Sequence, residues 1–319
     1  MSAHVLVTGG VGFIGYHVST ALLARGDRVT ILDDFSNAPY PTVMKERNAR
    51  DLAAAFREVR VVRGCITDAV LVKELISDVS GVIHLAGVAG VRPSFVSPAR
   101  YARVNTEGTA NVLMAMREAG VNRLAFASSS SVYGNSTPLP AQEESPCVVP
   151  ESPYAASKRA AELIASAIGL SMPALRCCAL RFFTVYGPRQ RPEMAITLFA
   201  NKALRGEEID VFGDGSMRRD FTHVDDITRG VLAAYDNAPL GVRPYNLGSG
   251  NPILLSDLIP AIGRAMGKPM RIRHIERPLG DVDATFASIE RAEKELGWKP
   301  RVNFEDGLAT VAEWLTQNA

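Results

Sequence analysis

The sequence predicts an α/β protein: a doubly wound parallel sheet joined to a smaller C-terminal lobe of mixed helices and strands. Three observations carry that expectation. Short continuous apolar runs alternate with longer amphipathic ones through the first half of the chain, the pattern of parallel strands covered on both faces. A glycine-spaced turn, VLVTGGVGFIG at 5–15, stands between the first such strand and the first helix. After about residue 185 the alternation becomes irregular, and loops rich in proline and arginine appear.

Strands are expected at 4–8, 28–33, 59–63, 81–85, 122–127 and 174–181, with helices between them at about 13–25, 68–77, 98–119 and 153–169. Right-handed crossovers then distribute the helices over both faces of the sheet. A first domain covers approximately 1–184, and the second lobe covers most of 185–319, interwoven with the sheet instead of set off by a linker. In that lobe GPRQRPEMA reads as a loop, 195–205 as a helix, EEIDVFGDGSMRRDF as a strand with a tight turn, and 223–236 as a helix. RPYNLG reads as a short strand; a helix from Ser256, a strand at 270–275 and helices near 288–296 and 305–317 follow.

The 319 residues are 47% hydrophobic, ample for a large core. A formal charge of +1 gives no reason to expect a nucleic acid or a membrane as partner. No apolar run approaches the roughly 20 residues of a membrane span. HVLVTGG reads as a first strand, so no secretory signal is expected. Cys65, Cys147, Cys177 and Cys178 lack metal-ligand spacing and the histidines are scattered, so no metal site is expected. Free thiols in a reducing cytoplasm fit this usage. Adjacent in a strand, Cys177 and Cys178 should face opposite sides of the sheet.

Gly9, Gly12 and Gly15 recur every third position after the first strand. The first permits a tight turn, the second lets a pyrophosphate approach the backbone, and the third lets helix and strand pack closely. The helix opening at Phe13 and Ile14 supplies amide donors and a partial positive charge to phosphates. Asp33 ends the next strand, 18 residues beyond Gly15, where a carboxylate accepts bonds from the adenosine ribose. It would repel a 2′-phosphate, so a Rossmann sheet binding NAD is expected over one binding NADP. Asp34 reads as a solvated neighbour.

SPYAASKRAAE places Tyr154 and Lys158 four apart on one face near the start of a helix. A phenol ionises near pH ~10 in isolation, too high for a base at neutral pH. A neighbouring ammonium and a cationic nicotinamide would both favour the phenolate. A buried aromatic beside a solvated lysine is the alternative for an isolated pair. Here a dinucleotide turn precedes the pair, and the hydroxyl run SSSSVYG, 128–134, lies upstream at a strand end.

TGGVGFIG, HLAG (84–87), SSVYG and YAASK, in that order, resemble the extended short-chain dehydrogenase/reductase family of nucleotide-sugar epimerases and dehydratases. The likeness covers nearly the whole chain. It implies tightly bound NAD, with Leu85 and Ala86 against the cofactor and a nucleotide sugar in the C-terminal lobe. Tyr154 would be the general acid/base, Lys158 would contact the nicotinamide ribose, and Ser129 would hydrogen-bond the reacting oxygen with Ser131 nearby. One position departs from the family. The residue expected to be an adenine-contacting Asp is Cys65, a poor acceptor, so adenine recognition is looser or relies on Ile66.

The serines separate the family's chemistries. Related dehydratases carry an Asp-Glu pair at the positions of Ser130 and Ser131, and related decarboxylases a Glu at that of Ser131. Serine is a poor general base, so hydride removal from carbon 4 and return to the opposite face remains: epimerisation. RFFTVYGPRQRPEMA, 181–195, resembles UDP-glucuronate 4-epimerases. Arg191 then falls where the family holds the sugar carboxylate, and Thr184 where a small polar group contacts substrate. An arginine fork suits a carboxylate, although Arg189 and Arg191 could simply be solvated in a proline-rich loop. RRDFTHVDD and ERPLGD resemble diphosphate-gripping segments, which points to Arg219 and Arg277. Arg218 reads as solvated, and Asp225 and Asp226 as a helix start. Arg92, after the fourth strand, is a further substrate candidate. The expected activity is 4-epimerisation of a UDP-sugar, UDP-glucuronate to UDP-galacturonate. UDP-glucose/UDP-galactose epimerisation, a net dehydrogenase and a non-catalytic NAD-binding protein are the alternatives. Helices 98–119 and 153–169 resemble those that pair in family homodimers.

Overall fold

The computed structural model describes residues 2–37, 40–276 and 284–318. At its centre lies a seven-stranded parallel sheet with the order Gly241–Leu247, Arg176–Phe182, Arg123–Ser129, Gly81–His84, His4–Thr8, Arg28–Asp33, Val59–Arg63. Period-two alternation divides its side chains between two cores. Val5, Val7, Ile31, Ile83, Ala125, Cys178 and Leu180 enter one. Leu6, Leu32, Val82, Leu124, Phe126, Cys177 and Ala179 enter the other. Each fully buried aliphatic side chain contributes about 1.5–3 kcal/mol, so this division fixes the register. Cys177 and Cys178 do face opposite sides, and all four cysteines are free.

Successive crossovers run outward in opposite directions from His4–Thr8, so the loops after it and after Gly81–His84 diverge. That divergence opens a crevice at the carboxyl ends of the strands. All six strands expected in the first half are present, and the seventh, Gly241–Leu247, returns from the C-terminal half. Helix Val224–Asn237 also returns, packing on helix Phe13–Ala24 beneath the sheet. The remaining lobe has its own apolar core, including Ile196, Phe199, Ile209, Phe221, Leu258 and Val311.

The elements differ from expectation in three places that shape the site. Strand Arg123–Ser129 runs on through Ser128 and Ser129 before a 3-10 turn, Ser130–Tyr133. The helix over 98–119 contains a wider π turn at Ala102–Glu107, which carries Asn105. Helix Thr42–Ala55 was not expected at all, because its buried residues are Lys45, Asn48 and Leu52 and its apolar periodicity is weak. Among the described residues, no helix is long and apolar enough to cross a membrane and no side-chain cluster could hold a metal ion.

Candidate active site

The crevice starts at the glycine turn. Gly9 has φ 71°, and a Cβ there would lie 2.7 Å from the Ala86 amide nitrogen. A Cβ on Gly15 would lie 2.1 Å from the Gly9 carbonyl oxygen. Both positions therefore require glycine on packing grounds. Helix Phe13–Ala24 has no side-chain N-cap, and Phe13 and Ile14 line the cleft, so first-turn amides are left for an anion. This is a cradle that fits a dinucleotide pyrophosphate.

Asp33 also lines the cleft, and its Oδ1 accepts from the Phe35 amide and from Lys45 Nζ, each at 2.9 Å. Lys45, contributed by the unexpected helix, also reaches Asp34 at 3.4 Å. Asp34 is thus paired, with its carboxyl held below the usual range by bonds from Ser36 and the charge of Lys45, which outweigh its burial. Cys65 lines the same end, and its sulfur accepts from Thr67 Oγ1 at 3.1 Å. Ile66 is buried against Gly108. Leu85 and Ala86 line the wall opposite the turn.

Deeper in the cleft, Lys158 Nζ donates to the Ala127 carbonyl at 2.8 Å. A Cβ on Gly87 would come within 3.1 Å of that nitrogen, so the glycine of HLAG makes room for the amine. Burial lowers the Lys158 pKa to about 8, against the opposing charge of Glu162. Gly87 also lies against Asn105, whose amide exchanges bonds with the Val88 backbone at 2.7 and 3.0 Å and donates to Ser157. Asn105 was not expected from the sequence, and the π turn that aims it has no distinctive residue signal.

Tyr154 lines the cleft on the same helix face, its ring edge-on to Tyr101 with centroids 6.1 Å apart. Burial pushes the Tyr154 phenol up, and the groups that oppose it are Ser129, by a hydrogen bond, and Arg191, by its charge. Lys158 Nζ itself donates to the Ala127 carbonyl. The protein alone therefore keeps Tyr154 protonated.

The serine row divides by face. Ser128 points inward and donates to buried Glu162 at 2.6 Å. Ser129 points to the cleft and caps the 3-10 turn, accepting from the Ser131 amide at 3.2 Å and donating to Ser131 Oγ at 3.1 Å. Ser130 and Ser131 line the cleft, and neither position carries an acid. Arg191 and Thr184 line it as well. The Arg191 guanidinium lies 3.1 Å from Glu193 and is 19% exposed, so it is no freely solvated loop arginine. Arg219 lines the far end and donates to the Arg218 carbonyl at 2.9 Å, while Arg218 is exposed. Arg92 lies at the cleft with its guanidinium 4.8 Å from the ring centroid of Phe212, across from the C-terminal lobe. Arg277 lies outside the described residues. Asp225 and Asp226 open helix Val224–Asn237 as expected, and Asp226 accepts from the amides of Arg301 and Val302.

The site thus combines a dinucleotide cradle, a Tyr-Lys pair and arginines along one crevice, and related proteins share its frame. A family model described as the NAD dependent epimerase/dehydratase family matches residues 5–248. The UDP-glucuronate 4-epimerase of Thermodesulfobacterium geofontis is 37% identical, over 99% of this chain and 97% of its own. Among solved structures, the Bacillus cereus UDP-glucuronic acid 4-epimerase in complex with UDP-glucuronic acid and NAD superposes with a TM-score of 0.91. Its identity is 30%, covering 99% of this chain and 100% of that one. A Streptomyces venezuelae dTDP-glucose 4,6-dehydratase with NAD bound superposes equally well, TM-score 0.91 at 31% identity, covering 99% of this chain and 97% of that one. The shared fold does not select among these chemistries. This chain belongs to the NAD dependent epimerase/dehydratase family.

Proposed function

We propose that the protein interconverts UDP-glucuronate and UDP-galacturonate by epimerisation at carbon 4. The observation that carries the reading is that Arg191 and Tyr154 line one cleft together with a serine turn that carries no acid. The turn supplies no base to start an elimination, and Arg191 supplies a cation for a sugar carboxylate beside the reacting carbon. The named activity of the Thermodesulfobacterium relative supports the same choice.

Tyr154, as phenolate, takes the proton from the carbon-4 hydroxyl, and Ser129 hydrogen-bonds that oxygen as it becomes a ketone. NAD held there would supply the acceptor and donor for the carbon-4 hydride, and its positive charge would favour the phenolate. Gly9, Gly12, Phe13, Ile14 and Gly15 would hold its pyrophosphate, Asp33 its adenosine ribose, Ile66, Leu85 and Ala86 its rings, and Tyr154 and Lys158 its nicotinamide end. Epimerisation requires the sugar to present its opposite face, and Tyr154 then gives the proton back. No net oxidation results. Arg92, Ser131, Thr184 and Arg219 surround the sugar and diphosphate. The 4-ketone beside a carboxylate is a β-keto acid, which loses carbon dioxide when the breaking bond aligns with the carbonyl. Arg191 and Thr184 hold the carboxylate out of that alignment.

One observation favours a second reading. Glu193 already pairs with Arg191 at 3.1 Å, which gives the pocket an internal counter-charge and suits a neutral sugar such as UDP-glucose. Incubating the protein with each sugar nucleotide and analysing products by NMR decides between them. UDP-galacturonate from UDP-glucuronate supports the leading reading. A UDP-pentose would indicate decarboxylation, and turnover of UDP-glucose alone would favour the neutral sugar. A homodimer through helices 98–119 and 153–169 is supported by exposed Leu163 and by exposed Phe95 and Val96 on the adjoining helix Val91–Val96.

A further inference from the structure

Arg189 stands two residues before Arg191, in a loop that sequence alone reads as solvated. Its backbone is left-handed, φ 67°, a conformation that a long L side chain adopts only when its surroundings impose it. The surroundings are specific. One guanidinium nitrogen donates to Asn48 Oδ1 at 2.5 Å and another to Asp51 Oδ2 at 2.6 Å. The flat face lies over Tyr16, 4.0 Å from its ring centroid. The Arg189 carbonyl accepts from Tyr40 at 3.0 Å, and the preceding Pro188 carbonyl bonds His17 at 3.0 Å.

Asn48 is the connecting residue. Its side-chain nitrogen donates to the carbonyl of Val11, inside the glycine turn, at 2.9 Å, while its oxygen receives Arg189. Asn48 is 1% exposed, and both ends of its amide are engaged within the protein. On the other side Gln190 ties the loop to the C-terminal lobe, donating to Val185 O at 2.7 Å and accepting from Thr197 at 2.8 Å. Consecutive side chains thus bind the cofactor side, the C-terminal lobe and the cleft.

We propose that Arg189 is a positioning residue that latches the loop carrying Arg191 to the glycine turn, so that filling the dinucleotide site orders the sugar-carboxylate site. The fork geometry requires arginine: a lysine could reach Asp51 but could not also grip Asn48 and stack on Tyr16. By linkage, a sugar held by Arg191 would strengthen dinucleotide binding by the same factor. The role given to Arg191 rests on the proposed function, but the latch can be tested without any sugar.

Hydrogen exchange of the full-length protein, stripped of nucleotide and then given NAD alone, is the measurement. In the wild type, NAD should slow the amides of the glycine turn and also those of 189–194 by about five- to tenfold, the lower end of ordinary coupling. Arg189→Lys should keep the slowing at the glycine turn and lose most of it at 189–194. Asp51→Asn, at a partly exposed position, should weaken it in the same direction and serves if the first variant folds poorly. A wild-type loop indifferent to NAD, or equal protection in the wild type and both variants, overturns the latch. A wrong sugar assignment leaves these outcomes unchanged.

Discussion

Arg181 forks onto Glu162 in the core beneath the Tyr154–Lys158 face, with Nε–Oε1 and Nη2–Oε2 both at 2.9 Å. Arg181 is 1% exposed. The same carboxylate accepts from Ser128 and Arg159, so it ties the serine strand to the helix that carries Tyr154 and Lys158. Glu162→Gln would leave a buried guanidinium uncompensated, a loss of about 3–5 kcal/mol. Urea unfolding should show that fall in midpoint. A change within experimental error would mean the pair contributes nothing to the fold.

Lys158 adds a pH dependence whose direction follows from its environment. Its pKa is lowered from 10.5 in the unfolded chain to about 8 in the folded one. Between those values the unfolded state binds more protons, so the Lys158 contribution to stability rises with pH. The burial penalty is fully present below pH 8 and is relieved toward pH 10.5. In nucleotide-free protein, Lys158→Met should therefore be more stable than the wild type at neutral pH, by an amount of order 3 kcal/mol. Denaturation at a series of pH values should show this advantage shrinking from pH 8 upward; a constant difference would refute it.

Tyr154→Phe removes the proposed proton carrier while keeping the ring against Tyr101. Turnover should fall by about 10²–10⁴-fold, the usual span for a general acid/base, with UDP-sugar affinity nearly unchanged. Isothermal titration beside a product assay separates the two quantities. Retained turnover would place the proton transfer elsewhere.

Arg191→Ala should weaken UDP-glucuronate binding about 10–100-fold, as expected for a lost charge-assisted fork, while UDP itself binds as before. NMR of the products should also show a larger decarboxylated fraction. Clean, undiminished epimerisation would remove Arg191 from the carboxylate role.

Much of the frame was legible because it depends on local rules. The parallel strands announce themselves as apolar runs, and Gly9 and Gly15 are glycine because a Cβ would strike backbone at 2.7 and 2.1 Å. Tyr154 and Lys158 share a face through helical period alone. Lys45 and Asn48 escaped notice because polar residues occupy the buried face of their helix, where pattern reading looks for apolar ones. The hydrogen bond from Lys158 to the Ala127 carbonyl was not legible, because spacing gives a shared face but not the direction of a long side chain.

The sequence by itself determined the sheet, the glycine turn and the shared helix face of Tyr154 and Lys158, since glycine spacing and apolar periodicity act over a few residues. Only the tertiary structure decided what each charged group meets: Lys158 on a carbonyl, Asp33 on Lys45, and Arg189 on Asn48 and Asp51. The partners in these four contacts lie 12 to 141 residues apart along the chain. Electrostatic pairing at such separations depends on packing and desolvation, which are set when the chain folds and leave no periodic trace along it.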